Sequence, residues 1–291
     1  MPSTPEPARR TYTDAVTDSS RWAFFTPRDG DIVVSTPPKS GTTWTQGILA
    51  MLIAGDTEVD AQTSMKSPWI DINIRPVEDV MARLAAQTHR RQVKTHSPFD
   101  AIPYWPDLRY ITVYRHPIDV HFSSRSHRAN MADKHGTDDM AANPSDSFRA
   151  FLVEANDHMG FLPLIDHYRC TLEREPRENL IRLHYSDMGH DLAGAVAKVA
   201  AHVGIDHPPQ LMEAIAKAAT FVSMKANAAR FTPSAGQGMW KADSGFFASA
   251  SSNKWEGVLT AEDLAAYDAA IGAVLTPAER AWLEWGSAGR A

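Results

Sequence analysis

Residues 31–55 read DIVVSTPPKSGTTWTQGILAMLIAG, and this stretch decides the fold. The apolar run at 32–34 is typical of a short buried strand, and the segment after Gly41 has the length and apolar content of a helix. Two prolines and Gly41 join them through a tight loop. The amides from Ser40 to Thr43 should then lie at a helix N-terminus, where unpaired N–H groups and the helix dipole favour an anion. The stretch predicts a strand, a phosphate-binding loop and a helix.

The loop carries side chains suited to a nucleotide-like ligand. Lys39 adds a mobile positive charge, Thr42 and Thr43 offer hydroxyl groups to the same phosphate, and Trp44 offers a flat face on which a base can stack. A plain capped helix with a solvated Lys39 is the alternative. The lysine precedes the glycine, whereas the nucleoside-triphosphatase loop requires G-x-x-x-x-G-K-[ST], so an ordinary ATPase is disfavoured.

Further strands and helices alternate along the chain. Short β-branched segments at 90–96, 109–115 and 179–185 are typical of strands, and helical patterns occupy 144–175, 192–204 and 260–275. This alternation predicts an α/β, P-loop-like fold of three layers, with a central, mostly parallel sheet flanked by helices. We expect residues 1–20 to form a flexible arm and 21–291 a single domain. The glycine- and serine-rich segment 226–254 is predicted to be a lid loop.

Composition excludes several classes of function. The chain has 291 residues, a net charge of −6 and one cysteine, Cys170, which suits a reducing cytoplasm and leaves no internal disulfide. We expect no secretory signal, no membrane span and no broad nucleic-acid surface. Twelve histidines raise the question of a metal, but the spacing of those in 116–135 does not pair them on one helix face, so no metal site is predicted.

Three ordered motifs, PKSGTTW at 38–44, KTHSP at 94–98 and YRHPIDVHFSS at 114–124, resemble the cytosolic-type sulfotransferase family. The resemblance covers roughly residues 24–270. It implies a sulfuryl donor, 3′-phosphoadenosine-5′-phosphosulfate (PAPS), with 3′-phosphoadenosine-5′-phosphate (PAP) as product. It also implies an acceptor alcohol, phenol or amine and no required metal. A kinase-like P-loop phosphotransferase and a nucleotide-binding protein without catalysis are the alternatives.

Sulfuryl transfer requires a base for the acceptor proton and cations near the departing phosphate oxygen. A neutral histidine suits the first role near pH 7, and the resemblance implies His96 as base, although a lone histidine can be structural. It implies Lys39 at the leaving oxygen and Lys94 as a helper at the transferring group. The resemblance also places Arg115 and Ser123 at the 3′-phosphate. Near the adenosine it implies Tyr185, Phe221 and Met224.

The chain departs from the family at the far end of the cofactor. The R-K-G triplet that usually closes over the 3′-phosphate falls on Ala248, Ser249 and Ala250 when the chain is aligned on Trp255. Ser249, Ser251, Ser252 or Lys254 could substitute for it. A dimer signature found in vertebrate members retains only Thr260, so that dimer is not predicted and the oligomeric state stays open.

Acceptor specificity is expected from aromatic and apolar residues in the variable stretches. They would line a pocket for a phenolic or hydrophobic alcohol, although each could equally be core. These candidates are Trp69, Phe99, Tyr104, Trp105, Met131 and Trp240.

Overall fold

The structure is a computed structural model that describes residues 3–59, 62–132, 142–153, 159–248, 251–287 and 289. Four strands form one sheet with every neighbouring pair parallel, in the order β2-β1-β3-β4. They are β1 (Ile32–Ser35), β2 (Gln92–Thr95), β3 (Arg109–Tyr114) and β4 (Leu180–His184). Helices cover both faces of this sheet. The predicted three-layer α/β fold is therefore confirmed.

The helices of the described residues lie between and after the strands. They are α1 (Thr42–Ala54), α2 (Thr63–Lys66), α3 (Val77–Ala85), α4 (Pro117–Asn130), α5 (Pro144–Val153), α6 (Phe161–Arg174), α7 (Tyr185–His190), α8 (Leu192–Val203), α9 (Pro209–Ala218), α10 (Phe221–Ala226), α11 (Ala228–Phe231), α12 (Ala261–Gly272) and α13 (Pro277–Trp285). Short 3-10 helices occupy Ser19–Phe24, Phe99–Ala101 and Asp243–Phe246. None of the helices within the described ranges has both the length and the apolar character that a membrane span needs.

The sheet is buried on both faces, as its continuous apolar strands require. Successive residues of β1 alternate between the faces, so Val34 packs in a core cluster with α1, α8 and α9, while Val33 packs with Trp22, Phe25 and Trp105 on the other face. A further cluster around Tyr114 joins helices α4, α5, α6, α12 and α13.

The carboxyl ends of the strands meet at one edge of the sheet, which is where open α/β sheets bind ligands. The register pairs Ser35 with Thr95 and Tyr114 with His184. His96, Arg115 and Tyr185 each follow a strand end directly in the sequence, and the phosphate loop follows β1. The topology thus collects the principal predicted site residues at this edge.

The N-terminal segment has partners on the body of the domain. The backbone N–H of Glu6 donates to the Tyr104 carbonyl at 2.8 Å, and that of Arg9 donates to the Asp100 carbonyl at 2.7 Å. Farther along, the N–H of Asp18 donates to the Asp71 carbonyl at 2.8 Å. These contacts show where residues 3–20 lie, and the flexibility expected of them stays a prediction.

The segment expected to be a lid, residues 226–254, contains short helical turns within its described part. It is joined to the end of α4, because the N–H of Lys241 donates to the Asn130 carbonyl at 2.8 Å and Met131 forms an isolated bridge with Trp240. Ser249 and Ala250 lie outside the described residues. Closure over a ligand remains a prediction.

Candidate active site

The phosphate loop has the backbone of an anion-binding turn. Lys39 and Gly41 have positive φ angles of 65° and 126°. A side chain at Gly41 would come within 3.1 Å of Val113 and 3.4 Å of Tyr185, which explains the glycine. Helix α1 begins at Thr42 without a side-chain cap, and the buried Ser40 hydroxyl has no hydrogen-bond partner among the described residues. These orphaned donors fit a phosphate group.

The other loop residues differ in their present contacts. The Thr42 hydroxyl is hydrogen-bonded to the Thr36 hydroxyl, and Thr43 is half-buried at the start of α1. The Trp44 indole N–H donates to the Ala219 carbonyl at 2.8 Å, and its ring meets Tyr185 edge-on at 5.1 Å between centroids. Trp44 is therefore held firmly beside the loop, with an aromatic neighbour.

Lys39 is held by residues outside the loop. Its Nζ donates to His127 Nδ1 at 2.9 Å and lies 4.7 Å from the centre of the Phe246 ring. Burial and, to a smaller extent, repulsion from Lys94 and Arg115 together lower the pKa of Lys39 to about 7. Lys94 and Arg115 thus both repel the Lys39 ammonium at this edge of the sheet. A bound anion would relieve that repulsion.

His96 is tied to the phosphate loop. Its Nδ1 lies 2.7 Å from the carbonyl oxygen of Thr36, so Nδ1–H donates to that oxygen. The resulting tautomer leaves the lone pair on Nε2, which is the form a general base needs. The half-buried ring also meets the Trp69 indole edge-on at 4.8 Å. Orientation and tautomer both suit proton abstraction.

A buried aspartate supports this side of the site. Lys94 Nζ lies 4.1 Å from the centre of the Trp69 ring, and the Trp69 indole N–H donates to Asp71 Oδ1 at 2.6 Å. Asp71 Oδ2 also accepts from the hydroxyls of Thr95 and Ser97, each at 2.5 Å. Burial raises the pKa of Asp71, and these hydrogen bonds oppose the shift. Burial lowers the pKa of Lys94 to about 8.

Arg115 is almost fully buried at the end of β3. Its guanidinium lies over the Tyr185 ring at 4.2 Å, and its Nε is 3.9 Å from Asp119 Oδ2. Its Nη2 donates to the Ser251 carbonyl at 3.4 Å, while Nε has no hydrogen-bond partner among the described residues. Ser123 is half-buried on α4, eight residues after Arg115 in the sequence.

The residues expected near the adenosine occupy two kinds of environment. Tyr185 is half-buried between Trp44 and Arg115, and Phe221 is half-buried with its ring 6.2 Å from that of Phe247. Met224 is buried, and a side chain at Gly47 of α1 would come within 3.1 Å of its Cε. Met224 thus packs in the core behind α1.

The structure places the acceptor candidates in two different environments. Phe99, Tyr104 and Trp105 are buried in the core cluster that contains Val33, on one face of the sheet. They present no surface to an acceptor, so the expectation that they line its pocket is not supported. Aromatic packing explains their burial, since the Tyr104 ring stacks on Tyr110 at 5.5 Å. Trp69 lies at the site beside His96.

Trp240 belongs to an aromatic group over Lys39 that the sequence did not reveal. The His127 ring lies 4.9 Å from Trp240 and 5.7 Å from Phe246. Met131 reaches the group through its bridge with Trp240. The sequence could have indicated His127, because it lies one helical turn after Ser123 and therefore on the same face of α4.

No group of three or more metal-ligating side chains is found within the described ranges, and His135 lies outside them. The cations and hydroxyls of the site are suited to anionic ligands.

Comparisons with known proteins identify relatives of this chain. A family model described as "Sulfotransferase domain" matches residues 29–278. A glycolipid sulfotransferase of Mycobacterium tuberculosis is 31% identical over 312 residues, covering 97% of this chain and 96% of that protein. An amine sulfotransferase of Oryctolagus cuniculus is 30% identical over 207 residues, covering 69% of this chain and 65% of that protein.

Two solved structures share the fold. A retinol dehydratase in complex with retinol and PAP has a TM-score of 0.73 at 18% identity, over 90% of this chain and 87% of its own. A mouse sulfotransferase complexed with PAP, SULT7A1, has a TM-score of 0.73 at 20% identity, over 92% of this chain and 93% of that chain. At these identities the likeness concerns the fold.

Proposed function

The chain belongs to the sulfotransferase family, and we propose that it transfers a sulfuryl group from PAPS to a hydroxyl or amine of a small-molecule acceptor. The family membership predicted from the three motifs is confirmed, because the family model matches residues 29–278. The identity of the donor, the role of each residue and the nature of the acceptor are parts of the proposal.

One observation carries the proposed mechanism. His96 is hydrogen-bonded at 2.7 Å to Thr36, three residues before Lys39 in the phosphate loop. The candidate base and the candidate leaving-group cation are therefore attached to the same rigid turn. Such fixed positioning is what an in-line transfer requires, because most of the rate enhancement comes from orientation and electrostatic stabilisation.

His96, Lys39 and Lys94 each have a role in this mechanism. When bound, the donor supplies an activated sulfuryl group on a phosphate that can leave. His96 Nε2 takes the proton of the acceptor hydroxyl as the new O–S bond forms. Lys39 stabilises the negative charge that the phosphate oxygen gains as the old S–O bond breaks, and Lys94 stabilises charge on the transferring group. The proton stays on His96 until it passes to solvent.

The nucleotide is proposed to lie along the carboxyl edge of the sheet. Ser40, Gly41, Thr42 and Thr43 would hold its 5′ end through amides and hydroxyls, as the orphaned Ser40 hydroxyl suggests. Arg115 and Ser123 would hold the 3′-phosphate. Aromatic faces suited to adenine are those of Trp44, Tyr185 and Phe221.

The acceptor is proposed to be a hydroxyl compound with an apolar body, such as a phenol, a hydrophobic alcohol or a glycolipid. Trp69, Trp240, His127 and Phe246 supply an aromatic surround for Lys39 and His96. A relative that covers 97% of this chain is a glycolipid sulfotransferase, which supports testing that class first. Because PAPS is an intracellular nucleotide, we propose that the enzyme acts in the cytoplasm.

Calorimetry with PAP and with ATP tests the donor. We expect PAP to bind and ATP to bind far more weakly, because the loop lacks the lysine after glycine that cradles a triphosphate. Binding of ATP without PAP would instead favour the kinase-like alternative. Radiolabelled PAPS supplied with glycolipids, phenols, alcohols and amines then tests transfer. If PAP binds and no acceptor of any class is labelled, the enzymatic part of the proposal fails.

A further inference from the structure

The family's usual 3′-phosphate clamp has no equivalent at the aligned positions. Ala248 carries no polar side chain, and Ser249 and Ala250 lie outside the described residues. We propose that Lys254, placed beside Arg115, supplies the positive charge by which the enzyme selects a nucleotide bearing a 3′-phosphate. This inference rests on the proposed function and assigns a specificity-determining residue to it.

The charges around Arg115 show why another cation is needed. The Arg115 side chain is 7% exposed, and Asp119, which is 2% exposed, lies 3.9 Å from its Nε. The carboxylate offsets the charge of the guanidinium, so this pair alone offers little net attraction to a phosphate dianion. Lys254 restores a net positive charge. The Nε of Arg115, buried and without a hydrogen-bond partner among the described residues, adds an unused donor.

The backbone before Lys254 is fastened to this pair. Asp119 Oδ1 accepts from the N–H of Asn253 at 2.8 Å, and Arg115 Nη2 donates to the Ser251 carbonyl at 3.4 Å. Asn253 has a φ of 59°, so the chain turns sharply at the residue before Lys254. Asp119 therefore also holds the backbone of the segment that contains Lys254.

The residue after Lys254 is anchored as well. Trp255 is buried, and its ring lies 5.7 Å from that of His116, which accepts from the N–H of Ile118 at the start of α4. The chain is thus held on both sides of Lys254, near Arg115. Pre-positioning of this kind lowers the cost of ordering a long side chain when an anion binds.

Electrostatic coupling links Lys254 to the same site. Burial lowers the pKa of Lys254, repulsion from Arg115 lowers it further, and attraction to Asp119 opposes the shift. A phosphate between the two cations would replace repulsion by attraction. The ammonium would then bind it as a point charge through charge-assisted hydrogen bonds.

Calorimetry with two nucleotides tests the role of Lys254. PAP and adenosine 5′-monophosphate differ in the 3′-phosphate alone, so the ratio of their dissociation constants measures its recognition. For Lys254→Gln we expect PAP to bind about tenfold more weakly or worse and adenosine 5′-monophosphate to change by less than about twofold. Lys254→Arg should recover most of the preference. Lys198→Gln, an exposed lysine on α8, is the matched control.

The outcomes separate the two proposals. An unchanged preference in Lys254→Gln, or equal losses for both nucleotides, overturns the role of Lys254 while the donor proposal stands. If the unaltered protein shows no preference for PAP, both the 3′-phosphate site and the PAPS assignment fail. Thermal melting of each variant checks that the fold is retained, and Lys254→Met, which also removes the charge, gives the answer if the glutamine variant is unstable.

Discussion

His96 has one ring nitrogen committed to the Thr36 carbonyl, so its chemistry depends on the other. We expect His96→Ala to lower kcat by about 100- to 10,000-fold, the usual range for a general base. The affinity for PAP should change by less than about twofold, because the base contacts the acceptor. Steady-state transfer and calorimetry measure the two effects. His190→Ala, at an exposed position, is the control. Equal losses of turnover and affinity would show that His96 is structural.

We expect His127 to compete with a nucleotide phosphate for Lys39, since the two side chains are hydrogen-bonded at 2.9 Å. His127→Phe keeps an aromatic ring against Trp240 and Phe246 and removes the acceptor. We expect PAP to bind about two- to tenfold more tightly, because a hydrogen bond of the usual net strength no longer has to be broken. Calorimetry at neutral pH measures it. Weaker binding in His127→Phe would mean that His127 positions Lys39 for the nucleotide.

At the scale of single residues, the sequence indicated polar and charged side chains next to the ends of predicted strands. Lys39, His96 and Arg115 were singled out through the motifs that resemble the sulfotransferase family, and the parallel sheet brings the strand ends near them to one edge. Asp71 and Phe246 were not identifiable, since Asp71 reaches the site from a loop and Phe246 from a short 3-10 helix, and no local pattern specifies the course of either segment. Asp71 is recognisable only through the side chains that donate to it.

At the scale of elements, the turn between β1 and α1 requires a glycine at position 41. Gly41→Ala puts a methyl group 3.1 Å from Val113 at a φ of 126°. We expect a loss of about 1–3 kcal/mol in the free energy of unfolding, together with much weaker PAP binding, because the amides of the loop shift. Urea unfolding and calorimetry measure these changes.

Gly272→Ala is the matched control for Gly41→Ala. Gly272 ends α12, and an added methyl group there would meet nothing within 4 Å. We expect it to stabilise the protein by roughly 0.5–1 kcal/mol, because alanine loses less backbone entropy in a helix. Equal effects of the two substitutions would show that the turn is not strained by a side chain.

The strands were the most predictable elements. The segments expected at 90–96 and 109–115 contain β2 and β3, because β-branched runs between prolines have few alternatives. The helical pattern at 144–175 contains two helices, α5 and α6, where periodicity suggested one stretch. Helix α13 was missed although Thr276 and Glu279 form a capping box at its start. Its short length gave too few turns for periodicity to show.

At the scale of the whole molecule, composition could not distinguish a ligand pocket from a core. Phe99 and Trp105 have the residue types of an acceptor pocket, yet both pack in the core cluster that contains Val33. The strand order β2-β1-β3-β4 could not be predicted either, because strand pairing depends on which face of the sheet each crossover packs against. The burial of these aromatic residues and the order of the strands therefore depend on long-range packing, which local sequence patterns do not specify.

A buried histidine connects the layers and makes stability depend on pH. His167 Nε2 lies 3.0 Å from the Ser35 hydroxyl, and its Nδ1 lies 2.6 Å from the Tyr114 hydroxyl, so α6 is joined to β1 and β3. Burial lowers the pKa of His167 to about 3. In the unfolded chain a histidine titrates near 6.5, so between these values the unfolded state binds the extra proton.

The free energy of unfolding should therefore fall as the pH falls below about 6.5, by about 1.4 kcal/mol per pH unit from His167 alone. Between about pH 7.5 and about pH 5 this amounts to roughly 2 kcal/mol. His167→Gln keeps a donor and an acceptor but cannot take the proton, so the variant should lose that part of the pH dependence even if it is less stable throughout. Urea unfolding at the two pH values measures the difference, with His190→Gln as control. Identical pH dependence in His167→Gln and the unaltered protein would place the acid sensitivity elsewhere.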